Sequence, residues 1–233
     1  MKAKLLDLID AGRDKEAEAL VPFVDDSPPE SPGKWTAKDQ LAHLMSWRQV
    51  ANAELDAART GGPVPDFSTD SDVENVKFYA QTHDQPAREV IETAAGSWDA
   101  MAVAVSACSE ETLEGPRPRR PYQKLWMVVP LNVYNHLAEH LAYWSWERDD
   151  EAAAEKALTW GYDLAIATYP GDRTRGAADY NLACIYAQRG NAAKAIPLLK
   201  RGFALRPDLV EWAKTDTDLD RIRANPELVE LLG

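Results

Sequence analysis

The sequence predicts an all-α protein in which a four-helix bundle is followed by a second helical region. Apolar residues recur with helical spacing in four long stretches, separated by segments rich in Pro, Gly and Ser. No stretch shows the alternation of apolar and polar residues that is typical of a strand. After Asp149 and Asp150 the composition becomes alanine-rich. We therefore predict two domains, residues 1–150 and 151–233.

The first two helices of the bundle have clear boundaries. Helical spacing of leucine and isoleucine begins at residue 2 and continues to about residue 21, where Pro22 and a run of Pro, Ser and Asp interrupt it. Thr36 followed by Asp39 is a capping-box signature, and a Gly-Gly-Pro sequence closes the segment that it opens. The second helix is therefore predicted over about 37–60.

The remaining bundle helices follow a short connecting helix that Asp72 can cap. Pro86 suits the first turn of a third long helix, which we extend to about residue 107. Four glycine and proline residues prevent residues 109–124 from being helical throughout. The fourth helix is predicted from Pro130 to about Arg148. Four substantial helices with long connections favour a bundle.

The second domain contains one stretch, Gly176 to Leu209, that resembles a tetratricopeptide repeat. It matches the 34-residue period, with one departure at Asp179, where that family prefers Trp. The small and large apolar sites fall at Leu182, Ala183, Tyr186, Ala195, Leu199 and Gly202. One such unit has too little hydrophobic surface to stand alone. We expect the 151–168 helix and an amphipathic tail to cover it.

Charge narrows the possible partners. The net charge is −12, and residues 1–150 carry 15 basic against 26 acidic side chains. An acidic surface repels phosphate backbones and anionic lipid, so we expect neither nucleic acid nor membrane as a partner. No run is apolar enough to span a bilayer, and we expect a cytoplasmic protein. Cys108 and Cys184 lack metal-binding spacing and are expected to be buried free thiols.

Three of the four histidines are candidate metal ligands. His136 and His140 are four residues apart, so both imidazoles project from one face of the fourth helix. His43 lies in the second turn of the second helix, and bundles build metal sites from inward residues of facing helices. Three imidazoles with a vacant fourth position are typical of a catalytic zinc site. Satisfied core or surface histidines, and a metal without catalysis, are the alternatives.

The surrounding residues carry a family resemblance. The segment from Trp35 to Trp47 (WTAKDQLAHLMSW), the Glu74-Asn75 and Tyr79 segment, and the two histidines of the fourth helix resemble the DinB-like four-helix-bundle superfamily. The resemblance covers about residues 1–150. It implies an up-down-down-up bundle, a divalent metal such as zinc or nickel, and often a homodimer. It also implies, for some members, transfer of a low-molecular-weight thiol.

Several neighbouring residues are weaker candidates. Glu139 is turned about 100° from the helix face that carries the two histidines. This favours a hydrogen-bond partner of a ligand, or an ion-pair residue, over a fourth metal ligand. Asn132 faces the same way as His136 and is either a hydrogen-bonding group of the site or a polar residue at the helix start. Trp47 and Trp144 either line a substrate cavity or belong to the core.

The connecting helix and the basic run add further candidates. Tyr79 is a candidate acid or hydrogen-bond donor, whereas His83 is interpreted as a solvated turn residue. Arg117, Arg119 and Arg120 lie in the only dense run of positive charge, and either bind carboxylates of a thiol cofactor or form a solvated loop.

Two functions follow as hypotheses. The first is a metal-dependent enzyme that transfers a low-molecular-weight thiol to a small electrophile or hydrolyses it. The second is a non-catalytic scaffold that binds a protein partner through the tetratricopeptide-like region. Grooves of that kind generally need several stacked repeats, and only one is visible here, which favours the first hypothesis.

Overall fold

The computed structural model describes residues 1–28, 31, 33–64, 66–68 and 70–233. Parts of the two predicted loops, at residues 29–30, 32, 65 and 69, lie outside the described residues. The chain is mostly helical and divides into two compact units, Met1–Ala154 and Glu155–Gly233. The boundary between the units falls inside a helix, a few residues beyond the predicted one.

The first unit is built from helices and one small hairpin. Its elements are α1 (Lys2–Ala19), α2 (Ala37–Thr60), α3 (Ser71–Thr82), α4 (Ala87–Ala107), α5 (Glu110–Glu114), β1 (Pro116–Arg117), β2 (Arg120–Lys124), α6 (Val128–Pro130), a π-helix (Leu131–Leu137) and α7 (Ala138–Glu147). Short 3₁₀ turns at Val21–Phe23 and Leu125–Met127 complete it. The four predicted long helices are confirmed in position.

The start of α2 is fixed by the predicted capping box. The Thr36 hydroxyl accepts from the Asp39 backbone N–H at 3.1 Å, and the Asp39 carboxylate accepts from the Thr36 backbone N–H at 3.0 Å. Gly61 ends the helix in the left-handed conformation (φ 67°), which glycine adopts without steric cost. At α3 the capping residue is Asp70, two positions before the predicted Asp72.

The core of the first unit lies between its long helices. Both α1 and α2 pack against α4 and against the π-helix, and α2 also packs against α3 and α7. A buried ion pair joins α1 to α2, because both Glu16 oxygens accept from Arg48 at 2.9 Å. The Trp98 indole of α4 donates to the same carboxylate at 2.8 Å, so one charged cluster links three helices.

Two features of this unit differ from the prediction. An antiparallel hairpin pairs Pro116 with Lys124 and Arg117 with Arg120, although no strand is predicted. Its strands are too short, and too rich in proline and arginine, to show alternation. The fourth helix is also irregular, because its Leu131–Leu137 segment is a π-helix.

The second unit is helical in its described residues. Its elements are the greater part of α8 (Glu151–Thr168), then α9 (Asp172–Gln188), α10 (Ala192–Leu205), α11 (Leu209–Ala213), a 3₁₀ helix (Thr217–Ile222) and α12 (Pro226–Leu232). Gly190 makes the turn between α9 and α10 with φ 71°. These two helices pack closely, since a Cβ on Gly202 would lie 3.2 Å from the Gly176 carbonyl oxygen.

Two further expectations concern the whole chain. Both cysteines are free and buried, as predicted. Among the described helices, none combines the length and the apolar character needed to cross a bilayer.

Candidate metal centre

The three predicted histidines come together in the first unit. His43 Nε2 lies 3.0 Å from His136 Nε2, and the candidate ligand atoms of His43, His136 and His140 all lie within 4.8 Å of one another. The ring centroids of His43 and His140 are 4.3 Å apart. α2 supplies one imidazole, the π-helix the second and α7 the third. The sequence spacing therefore identified a real cluster of imidazoles.

One histidine of the cluster is oriented by a buried partner. Gln40, three residues before His43 on α2, is buried, and its Oε1 lies 2.9 Å from His140 Nδ1. The amide oxygen only accepts, so His140 donates its Nδ1 proton and keeps a lone pair on Nε2. In metal sites an acceptor of this kind fixes the tautomer and orientation of the ligand.

Burial keeps the cluster uncharged. Desolvation, followed by the neighbouring His140, lowers the pKa of His43 to about 2. Desolvation lowers the pKa of His140 to about 4. It also lowers the pKa of His136 well below its usual value, with smaller contributions from the other two histidines and Arg48. At neutral pH all three rings therefore offer unprotonated nitrogens, the form that metals bind.

The residues present fit a divalent metal. Tetrahedral coordination with metal–nitrogen bonds of about 2.0–2.1 Å places neighbouring ligand atoms about 3.3 Å apart. The Nε2 atoms of His43 and His136 are 3.0 Å apart, and the ligand atoms of all three histidines lie within 4.8 Å of one another, so the required spacing falls between these two distances. His43 Nδ1 is buried and has no hydrogen-bond partner among the described residues. Without a metal, the close His43–His136 contact is an N–H···N hydrogen bond, in which one nitrogen donates its proton and the other accepts it through its lone pair.

The π-helix places His136 at the junction of two helical geometries. Residues of a π-helix bond five positions apart, and such segments occur frequently at functional sites. At its start the Asn132 side-chain amide donates to the Val128 carbonyl at 2.8 Å. The His136 and His140 rings still meet edge to face at 4.5 Å. His136 and His140 therefore still share one helix face, as predicted from a regular helix, despite the π-helix.

Trp35 covers the cluster. Its ring centroid lies 5.0 Å from that of His43 and 6.3 Å from that of His140, and the latter pair is nearly parallel. The same indole lines a cavity of about 160 Å³ together with Trp144 and Glu147. Burial raises the pKa of Glu147. Trp35 is therefore the side chain through which the cavity adjoins the histidines.

No protein-family model, no curated protein and no solved structure matches this chain. Its function is therefore inferred from its own residues.

Tyr79, Asn132 and Glu139 are the weaker candidates for the site. Tyr79 stacks on Trp35 at 6.1 Å, and burial, then the carboxylates of Asp39 and Asp84, raises the pKa of its hydroxyl. The Asn132 side-chain amide donates to the Val128 carbonyl, one turn earlier in the same helical stretch. The Glu139 carboxylate accepts from a tyrosine hydroxyl one turn later and is not grouped with the histidine ligand atoms.

The arginines of the basic run are largely occupied. Arg117 forms a bidentate ion pair with Glu54, whose side chain is fully buried, with both contacts at 2.8 Å. Arg119 donates to the carbonyls of Phe67 and Ser68. These contacts fasten the hairpin and the 66–68 loop. Of the three predicted cofactor-binding arginines, Arg120 is the exposed one.

The two tryptophans singled out from sequence take part in packing. Trp47 donates to Asn75 Oδ1 at 2.9 Å and so joins α2 to α3. Trp144 packs on Phe23 at 5.2 Å, and the Arg148 guanidinium lies 4.8 Å from its ring. Trp144 is buried, and it also lines the 160 Å³ cavity.

His83 lies in the turn after α3, as predicted, but its side chain is only partly exposed to solvent. Its Nδ1 lies 3.1 Å from Asp39 Oδ1, and its ring stacks on Tyr79 at 4.5 Å. Sequence reasoning missed this pair because the two residues are 44 positions apart and Asp39 already had a role as a helix cap. Gln40 was missed for a similar reason, since its partner is 100 positions away.

Proposed function

We propose that the first unit is a DinB-like, up-down-down-up four-helix bundle that binds a divalent metal through His43, His136 and His140. The metal is zinc or nickel. The site transfers a low-molecular-weight thiol to a small electrophile, or hydrolyses that electrophile. The observation that carries the proposal is the convergence of three imidazoles, of which His43 is buried and His140 is already oriented by Gln40.

The chemistry of the donor set supports a catalytic rather than a purely structural site. Structural zinc sites generally fill all four positions with protein ligands, whereas three histidines leave a position for water, thiolate or substrate oxygen. A metal held in this way lowers the pKa of bound water or holds a thiol as thiolate. The chain itself positions the imidazoles, and Trp35 limits the access of water to His43 and His140.

Metal content tests the first part of the proposal. The full chain is produced without nickel affinity chromatography and analysed by inductively coupled plasma mass spectrometry. Imidazole sites follow the usual order of affinity and would acquire nickel from a column. We expect about one divalent metal per chain, lost when His136 and His140 are both replaced by alanine.

A matched control is available in the same unit. His83 is the one histidine outside the cluster, so His83→Ala removes an imidazole without removing a proposed ligand. We expect this variant to keep full metal content. Wild-type protein that is free of metal and gains none from added zinc or nickel contradicts the proposal.

Catalysis needs a separate assay, because a metal can be bound without turnover. The metal-loaded chain is mixed with a small thiol and an activated aryl halide, and loss of thiol is followed with time. We expect turnover that requires both metal and the histidine pair. Full metal content without turnover of any thiol or ester substrate would leave metal binding alone as the function.

The second unit favours an additional interaction role. The close packing of α9 on α10, with buried Ala183, Ala195 and Leu199, is the helical hairpin expected of a tetratricopeptide-like unit. Trp212, just beyond it, is 65% exposed. A partner protein that the full chain captures and the Trp212→Ala chain does not would support this role. We also propose a homodimer, to be tested by sedimentation.

A further inference from the structure

A second polar site lies in the first unit, apart from the three-histidine cluster. His83 Nδ1 is 3.1 Å from Asp39 Oδ1, and the Asp39 side chain is only 2% exposed, whereas that of His83 is 36% exposed. The exposed part of the imidazole lines a cleft of about 360 Å³. The 26–28 segment, the start of α2 and the turn between α3 and α4 form this cleft.

The hydrogen bonds of Asp39 fix the tautomer of His83. Asp39 Oδ2 accepts from the Thr36 backbone N–H at 3.0 Å and from the Thr36 hydroxyl at 2.7 Å. Oδ1 is then free to accept from His83, and a carboxylate cannot donate. In the neutral ring His83 therefore carries its proton on Nδ1, and its Nε2 has a lone pair.

In the part of the chain that the structure describes, the hydrogen-bond contact made by that Nε2 is a long one. The Tyr79 hydroxyl is 3.5 Å away, beyond a good hydrogen bond, although the two rings stack at 4.5 Å. Stacking holds the plane of the imidazole and the Asp39 contact holds its rotation. An imidazole oriented by a carboxylate, with Nε2 directed away from it, has the geometry of a general base.

We propose that His83, positioned by Asp39, is a proton acceptor for a small molecule bearing a thiol or hydroxyl group that binds in this cleft. In the step, the S–H or O–H bond breaks and its proton forms an N–H bond at His83 Nε2. The electron pair stays on sulfur or oxygen, and water or the product later removes the proton. His83 is the catalytic residue and Asp39 the positioning residue.

The charges around the cleft limit the ligand. Asp26 and Asp84 contribute two carboxylates, against the single ammonium of Lys38. That ammonium is already engaged, since it donates to the Gln85 carbonyl at 3.1 Å and lies 3.6 Å from Asp26. The cleft therefore disfavours anions and suits a neutral molecule with a protic group.

The tautomer of the wild-type protein gives the first test, and it requires no change to the site. Long-range proton–nitrogen correlation spectra of the full chain distinguish protonation at Nδ1 from protonation at Nε2, and the His83 signals are assigned as those that His83→Gln removes. We expect the Nδ1–H form for the neutral ring. An Nε2–H form in the wild type overturns the proposal.

Asp39→Asn gives a sharper test. Because Thr36 donates twice to one side of this carboxyl group, the amide oxygen must occupy that side, and the amide NH₂ then faces His83. A donor there requires the lone pair on Nδ1, so the imidazole switches to the Nε2–H form, as in triads whose aspartate is replaced by asparagine. Asp84→Asn removes a carboxylate from the same cleft without touching the His83 bond and should leave the tautomer unchanged.

Reactivity gives the functional readout. With 4-nitrophenyl acetate and a small neutral thiol, Nε2 takes the S–H proton, sulfur forms a C–S bond with the ester carbonyl, 4-nitrophenolate leaves, and water then removes the proton from Nε2. We expect His83→Gln and Asp39→Asn to react roughly 100-fold more slowly, at the lower end of the range for a positioned base, and Glu89→Gln, which changes an exposed carboxylate of α4 outside the cleft lining, to react within about twofold of wild type.

Two outcomes contradict the inference. One is a folded Asp39→Asn chain, by circular dichroism, that reacts at the wild-type rate. The other is a His83→Gln chain that keeps its reactivity. These rates are measured on the metal-free chain, so that turnover at the three-histidine cluster does not contribute, and the inference can hold where metal binding fails.

Discussion

Gln40 provides the most direct test of how the protein prepares the metal centre. Its side chain is 3% exposed, and its Oε1 accepts from His140 Nδ1 at 2.9 Å. Gln40→Ala removes that acceptor, so the His140 ring loses the bond that fixes its tautomer and rotation. Loss of such a partner typically reduces metal affinity 10- to 100-fold. This corresponds to about 1.4 to 2.8 kcal/mol of binding free energy.

The affinity is measured by competition between the metal-free full chain and a chromophoric zinc chelator. Gln49→Ala is the matched control, because Gln49 is exposed on the same helix and shares none of these contacts. We expect the zinc dissociation constant of the control to stay within about twofold of wild type. Gln40→Glu keeps an acceptor facing His140 and should bind zinc at least as tightly as the wild type.

The outcome that refutes the reasoning is specific. If Gln40→Ala binds zinc with wild-type affinity while its fold is unchanged, His140 Nε2 is not a ligand atom, and the Gln40 contact serves only packing. A fall in affinity for both Gln40→Ala and Gln40→Glu would instead mean that the amide group itself is required. Only the pattern in which glutamate restores binding supports orientation by an acceptor.

Three further predictions concern stability. Glu16→Gln leaves the buried Arg48 guanidinium without its counter-charge and should reduce the free energy of unfolding in urea by about 3 kcal/mol, whereas the double variant with Arg48→Met should recover much of that loss. In metal-free protein the pKa of His140 falls from 6.5 in the unfolded chain to about 4 in the folded one, so the unfolded state binds more protons between those values. Urea titrations should show stability that is fully present above about pH 6.5 and is lost as the pH falls towards 4, and a stability that rises on acidification would contradict this. Gly202→Val places a side chain 3.2 Å from a backbone oxygen of α9 and should cost about 1–3 kcal/mol in thermal unfolding, while Gly96→Ala, on an exposed helix face, should be neutral or stabilising.

Local sequence signals predicted most of the helical boundaries. The capping box at Thr36, the proline at position 86 and the glycine at position 190 act within a turn or two of chain, so a single sequence contains the information. The hairpin of β1 and β2 was missed because strand pairing at this length depends on what the strands contact. In this case Arg117 is held by Glu54, 63 residues earlier.

The candidate site was likewise predicted only in part, because some of its features depend on contacts between distant residues. Spacing alone placed His136 and His140 on one face, and helix packing brought His43 to them. The hydrogen bonds that give each ring its orientation join residues on different helices, and neither partner has a motif. Burial of the cluster, which keeps the rings neutral, is likewise a property of the packed helices and has no counterpart in the order of residues.

The first two turns of α2 connect the two candidate sites. Asp39 and Gln40 are adjacent in sequence, yet Asp39 orients His83 and Gln40 orients His140. Residues adjacent on a helix point about 100° apart, so consecutive side chains serve different neighbours. His43, one turn later, joins the cluster from the same rigid element. The geometry of both sites therefore depends on a single helix start, and a change that loosens this cap should disturb metal binding and His83 reactivity together.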